Sequence, residues 1–134
     1  MVQKESTIAN AGCPIYWWDV FGRIGDESII IEFAASFLKN GETLMLSLKS
    51  AVNAHSPEQI ELYAHAMKGS ASNMGAVPLA KKAWLLEKVA AEKNLDDASE
   101  QLIAIEDEYL HLKSLLEHSD WIERAKQAAG TSDS

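Results

Sequence analysis

The chain has 134 residues and a formal net charge of −8, which makes it one domain by size and long enough to bury a core. Its acidic balance excludes nucleic acid and anionic membrane surfaces as partners. No apolar run approaches the roughly 20 residues of a membrane span. Cys13 is alone, so no internal disulfide can form and a reducing compartment fits. Met1 to Gly12 is polar and lacks a signal-peptide core, so the predicted location is cytoplasmic.

The sequence reads as a string of helices, with almost no strand signal. Pro14 to Phe21 predicts a short helix with Pro14 in its first turn and Ile15, Trp17, Trp18 and Phe21 on its apolar face; Gly22 to Gly25 breaks it. Asp26 caps a second helix, which carries Ile29, Ile30, Phe33, Phe37 and Leu38 and ends at Asn40-Gly41. A third runs from Glu42 to Ala54 with Leu44, Leu48, Ala51 and Val52 on one side. Ser56-Pro57-Glu58-Gln59 is a start signal: Ser56 caps, Pro57 suits the first helical position and Gln59 completes a capping box. The fourth helix stops near Gly75, and a fifth runs from Pro78 to Lys93 with Leu79, Ala83, Leu86 and Ala90 in register. Asp96 caps a sixth, striped by Ala98, Leu102, Ile105, Tyr109, Leu112 and Leu116. Trp121 begins at most one more turn.

Short connections between consecutive amphipathic helices favour antiparallel neighbours. The predicted fold is therefore all-α: an antiparallel up-down four-helix bundle (42–54, 57–74, 78–93 and 96–118) with one or two additional N-terminal helices. The predicted boundaries are a flexible N-terminal tail over 1–13, the bundle domain over 14–122 and a C-terminal tail over 123–134. Trp17, Trp18, Trp84 and Trp121 are expected to fill the core or its lid.

The fourth helix carries the most informative residues. At about 100° per residue, Gly69, Ser72, Glu61 and Glu58 fall within about 40° of His65, and Lys68 and Leu62 at about 60°. Ile60, Tyr63, Met67, Ala71 and Met74 fall on the opposite side. The helix thus buries its Ile/Tyr/Met stripe and presents His65 to water. An imidazole shown to solvent on a rigid helix, with a cation one turn away and small neighbours, can hand a group to another protein. Gly69 supports this reading, because a mid-helix glycine costs about 1 kcal/mol against alanine and needs a reason. His55, His111 and His118 lack such a setting and read as structural or solvated. Glu108-Tyr109-Leu110-His111 has the Glu-x-x-His spacing of di-iron bundles, but no second copy exists, so no metal site is expected.

His65, Lys68-Gly69-Ser70, Ala71 and Gly75-Ala76 together resemble the signature of the histidine-containing phosphotransfer (HPt) domain family. Phe33 to Leu38 is similar to the family's Phe-Leu segment, and Leu85-Leu86-Glu87 to its Leu-Glu signature. The resemblance spans roughly residues 15–117; Met67 stands where the family often has leucine. It implies an HPt-like bundle in which His65 is the phosphoacceptor, Lys68 offsets charge on the phosphoryl oxygens and Gly69 gives clearance for docking. The implied partners are receiver domains of response regulators or hybrid sensor kinases. One receiver's phospho-aspartate donates the group and another receiver takes it. No cofactor is implied for this chain; magnesium comes with the receiver, which holds it in carboxylates. The chain has no Gly-rich phosphate loop, so the expectation is a free-standing phosphorelay intermediate, a stoichiometric carrier without ATP-binding or kinase domains. The alternatives are a helical module that docks a receiver or kinase partner without phosphorylation, and a metal-dependent bundle enzyme.

Overall fold

Two helix starts follow from side chains that accept from the chain ahead of them. The Asp26 carboxylate accepts from Ser28 N at 2.9 Å, and the Ser56 hydroxyl from Gln59 N at 3.4 Å, each satisfying a donor the first turn leaves open. The reciprocal half of the capping box is not formed, since Ser56 N donates to Ala51 O. The computed structural model describes residues 15–131. The predicted tail over 1–13, Cys13, Pro14 and the last three residues lie outside this range, and Trp18 is described by its backbone alone.

Six helices occupy the described residues: α1 (Trp17–Ile24), α2 (Glu27–Asn53), α3 (Pro57–Asn73), α4 (Val77–Ala91), α5 (Ala98–Leu116) and α6 (Trp121–Thr131). The C-terminal half of α2 joins α3, α4 and α5 in a closed ring of neighbours, α2 on α3, α3 on α4, α4 on α5 and α5 on α2. Ion pairs of Glu42 with Lys113 and of Lys49 with Glu106 fix α5 antiparallel to α2. This is the predicted up-down bundle. Leu48, Ile60, Met67, Leu79, Leu86 and Ile105 are fully buried at its centre. No helix among the described residues is long and apolar enough to cross a membrane.

Four boundaries differ from expectation. The predicted second and third helices are one, α2, which runs through Asn40-Gly41. Gly41 is buried and keeps a negative φ, so it is not a left-handed cap. It is a point of close approach: a Cβ there would stand 2.3 Å from Tyr109 Cε1. The Tyr109 hydroxyl donates to Leu38 O at 2.9 Å, and its ring tilts against Phe37 at 5.9 Å. Packing of α5 on α2 thus outweighs the roughly 1 kcal/mol propensity cost of a mid-helix glycine. The sixth predicted helix begins at Ala98, with no side-chain bond at its cap; Asp96 lies outside it.

The third difference is at the C-terminus, where the tail predicted over 123–134 is helical as far as Thr131. Ala125 is fully buried, Trp121 stacks on Trp17 at 5.7 Å and Lys126 pairs with Glu27 at 2.8 Å. The helix exists because α1 gives it an apolar surface to cover. The fourth is in its partner α1, which starts at Trp17, continues through Gly22 and ends at Gly25 in the left-handed conformation. The segment before it is tied to the α3–α4 turn, where Tyr16 N donates to Gly75 O at 2.9 Å.

Candidate functional site

The α3–α4 hairpin positions the site. Ile60, Ala64, Met67 and Ala71 are buried along α3, so the opposite side of the helix faces water, as its periodicity predicts. His65 lies on that side, and its side chain is 65% exposed. Gly69 follows one turn later with nothing within 4 Å of where a Cβ would stand. The surface beyond the imidazole is therefore open.

Lys68 and His65 converge on one residue that the sequence reading did not assign to the site, Glu87 of α4. Its Oε2 lies 2.8 Å from His65 Nδ1 and its Oε1 2.8 Å from Lys68 Nζ. The carboxylate is only 18% exposed. Burial raises its pKa, but the Lys68 ammonium and the His65 ring outweigh burial and hold it below the usual glutamate value. An ionised carboxylate only accepts hydrogen bonds, so Nδ1 carries the proton and donates. In the neutral ring the lone pair is then on Nε2, turned away from Glu87. Lys68 meets Oε1 as an ion pair rather than along a well-aligned hydrogen bond, and an ammonium with three protons has others to offer.

The sequence did hold a signal for Glu87. His65 and Glu87 lie equally far from Ala76, the residue at the α3–α4 turn, so an antiparallel hairpin sets them side by side. The Leu85-Leu86-Glu87 resemblance marks the segment, and only the hairpin register sets its third residue opposite the imidazole.

The structure does not bring the other histidines into this arrangement. His55, His111 and His118 are exposed and pair with no carboxylate. His55 Nδ1 lies 3.2 Å from the carbonyl of Asn53. Glu108 of the Glu-x-x-His spacing is engaged by Lys82 at 3.0 Å, and no group of three or more metal-ligating side chains gathers among the described residues. A groove of about 360 Å³ between α2 and α3 is lined by Phe33, Phe37, Asn40, Ser70 and Met74 among others; His65 is outside it. Trp84, expected in the core or its lid, is instead 45% exposed on α4.

The described residues thus form a helical bundle that presents one imidazole, held by a carboxylate, on an open helix face. Residues 32–120 match the model of the Hpt domain. The chain belongs to the Hpt domain family. A solved structure described as histidine-containing phosphotransfer protein B (HptB) from Pseudomonas aeruginosa PAO1 is similar over 83% of this chain and 90% of that one, with a TM-score of 0.68 and 25% identity. A search of the curated proteins finds no match. Family members pass phosphoryl groups to and from receiver domains of two-component systems, which makes this chain a phosphotransfer intermediate of two-component signalling.

Proposed function

We propose that His65 is the phosphoacceptor and that Nε2 is the atom that takes the group from the phospho-aspartate of one receiver and returns it to the aspartate of another. The hydrogen bond from Nδ1 to Glu87 carries this reading. It keeps the proton on the inner nitrogen and leaves the outer lone pair free to attack phosphorus. As the N–P bond forms, the P–O bond to the aspartyl carboxylate breaks and that carboxylate leaves. No proton need move: Nδ1 keeps its own, and the ring becomes a phosphorylated imidazolium. Its positive charge develops against the Glu87 carboxylate, which is already in place. The reverse step uses the same contacts.

Lys68 acts on the other side of the charge balance. It lies one turn from His65 and is held by Glu87, so its remaining protons can meet phosphoryl oxygens without a long side chain having to be ordered first. Gly69 gives the receiver clearance. Magnesium enters with the receiver, whose carboxylates hold it beside the phosphoryl group. The partners in this reading are receivers of response regulators or of hybrid sensor kinases.

The test is transfer from receiver domains charged with acetyl phosphate. The intact chain gains an acid-labile, base-stable label. His65→Gln folds and gains none, while variants at His55, His111 and His118 keep it. Label retained by His65→Gln overturns the assignment. A receiver that binds the chain but never labels it supports a docking module without phosphorylation.

A further inference from the structure

We infer that Lys81, Trp84 and Lys88 form the ridge by which this chain recognises a receiver with an acidic surface beside its phospho-aspartate. The inference rests on the His65 reading and adds the chemistry of the partner. Leu79, Ala83, Leu86 and Ala90 bury one side of α4. At about 100° per residue, Lys81, Trp84 and Lys88 fall together within about 60° of one another on the opposite side. Trp84 also lies about 60° from Glu87 and one turn nearer the hairpin, so the ridge borders the His65 face. All three side chains are exposed.

Two observations set this ridge apart. The first concerns charge. Most basic side chains among the described residues close an ion pair with a carboxylate, as Arg23, Lys49, Lys82 and Lys126 do. Lys81 and Lys88 close none; among the described residues only Lys39 and Lys93 share that state. In a chain of net charge −8, Lys81 and Lys88 are two cations beside the site that no carboxylate pairs. The second is the indole. Trp84 is not packed away, and Lys88 Nζ stands 5.5 Å from its ring centroid, which holds the ring against the helix surface. An exposed tryptophan flanked along the helix by two lysines without carboxylate partners suits an apolar contact ringed by carboxylates. The donor brings negative charge with its phosphoryl group, and Lys68 is already engaged by Glu87, so long-range attraction falls to the ridge.

The experiment measures transfer from acetyl-phosphate-charged receivers at low and high salt. Lys81→Glu/Lys88→Glu is expected to fold as the intact chain does and to lower kcat/KM by about 10- to 100-fold at low salt, through KM, with the loss shrinking at high salt. Lys81→Gln/Lys88→Gln gives a smaller loss of the same kind. Trp84→Ala costs about 10-fold in KM with little salt dependence, and Trp84→Phe recovers most of it. Unchanged kinetics in the reversed variant, or a loss confined to kcat, overturns the inference. If the intact chain takes no label from any receiver, the His65 reading fails. The ridge is then judged by affinity for receivers loaded with beryllofluoride, and equal affinity of the intact and reversed chains sinks it.

Discussion

Alanine in place of glycine should have opposite signs at two positions of this bundle. Gly69 is exposed mid-helix with nothing within 4 Å of a Cβ, so Gly69→Ala meets no obstacle and gains helix propensity of about 1 kcal/mol. For a domain of this length that is a rise in Tm of about 4 °C. At Gly41 the same change sets a Cβ 2.3 Å from Tyr109 Cε1 and 3.0 Å from its hydroxyl. The ring must move, which costs about 1–3 kcal/mol of overpacking and about 1 kcal/mol for the bond to Leu38 O. After the propensity gain, Gly41→Ala remains destabilised by roughly 1–3 kcal/mol. Thermal melts of the two variants give the signs. Gly69→Gln carries the argument to function: it should fold at least as well as the intact chain, yet transfer poorly from a charged receiver, because the longer side chain stands beside His65 where the receiver must approach. If Gly69→Gln unfolds the protein, the face is not open and the helix orientation is refuted. If it transfers at the intact rate, the clearance argument is refuted.

Lys68→Ala should slow transfer by about 10- to 1000-fold, or about 1–4 kcal/mol on the barrier, in single-turnover assays; an unchanged rate leaves the lysine as the ion-pair partner of Glu87 and nothing more. Glu87→Ala frees the ring to hold its proton on either nitrogen and should slow transfer by about 10-fold, with the change in tautomer read by nitrogen NMR; Glu87→Gln, which retains an acceptor, should lose less. Because its partners depress the folded-state pKa of Glu87, its stabilisation is present above the unfolded carboxylate value and is lost as pH falls through the depressed one. Denaturant midpoints of the intact chain and Glu87→Gln should therefore differ at neutral pH and converge in acid, and a gap that persists in acid contradicts the linkage.

The sequence made the four bundle helices legible because their stripes and the caps at Asp26 and Ser56 are local signals. His65, Lys68 and Gly69 could be placed on one face for the same reason. What it hid depends on distant packing. Asn40-Gly41 has the chemistry of a helix end, and only Tyr109, far along the chain, makes it a helix interior. Residues 121–131 are too short to hold a helix alone and do so because α1 covers them. Glu87 enters the site from another helix, and its pairing follows only once the hairpin register is fixed. Trp84 shows the limit of composition, since a large aromatic suggests core and the geometry of α4 turns it outward.

The stacking of Trp17 on Trp121 joins segments on the two sides of the span matched by the family model. Such a contact closes a loop of roughly a hundred residues, so its entropy cost falls due before it returns any energy. The α1–α6 clasp should form after the bundle has collapsed and open before it. Amide exchange would then resolve two cooperative units, a slow one containing the histidine helix and a faster one made of both ends. Removing α1 would strip α6 of the surface it covers without melting the bundle, whereas α1, tied also to the α3–α4 turn through Tyr16, would stay docked when α6 is removed.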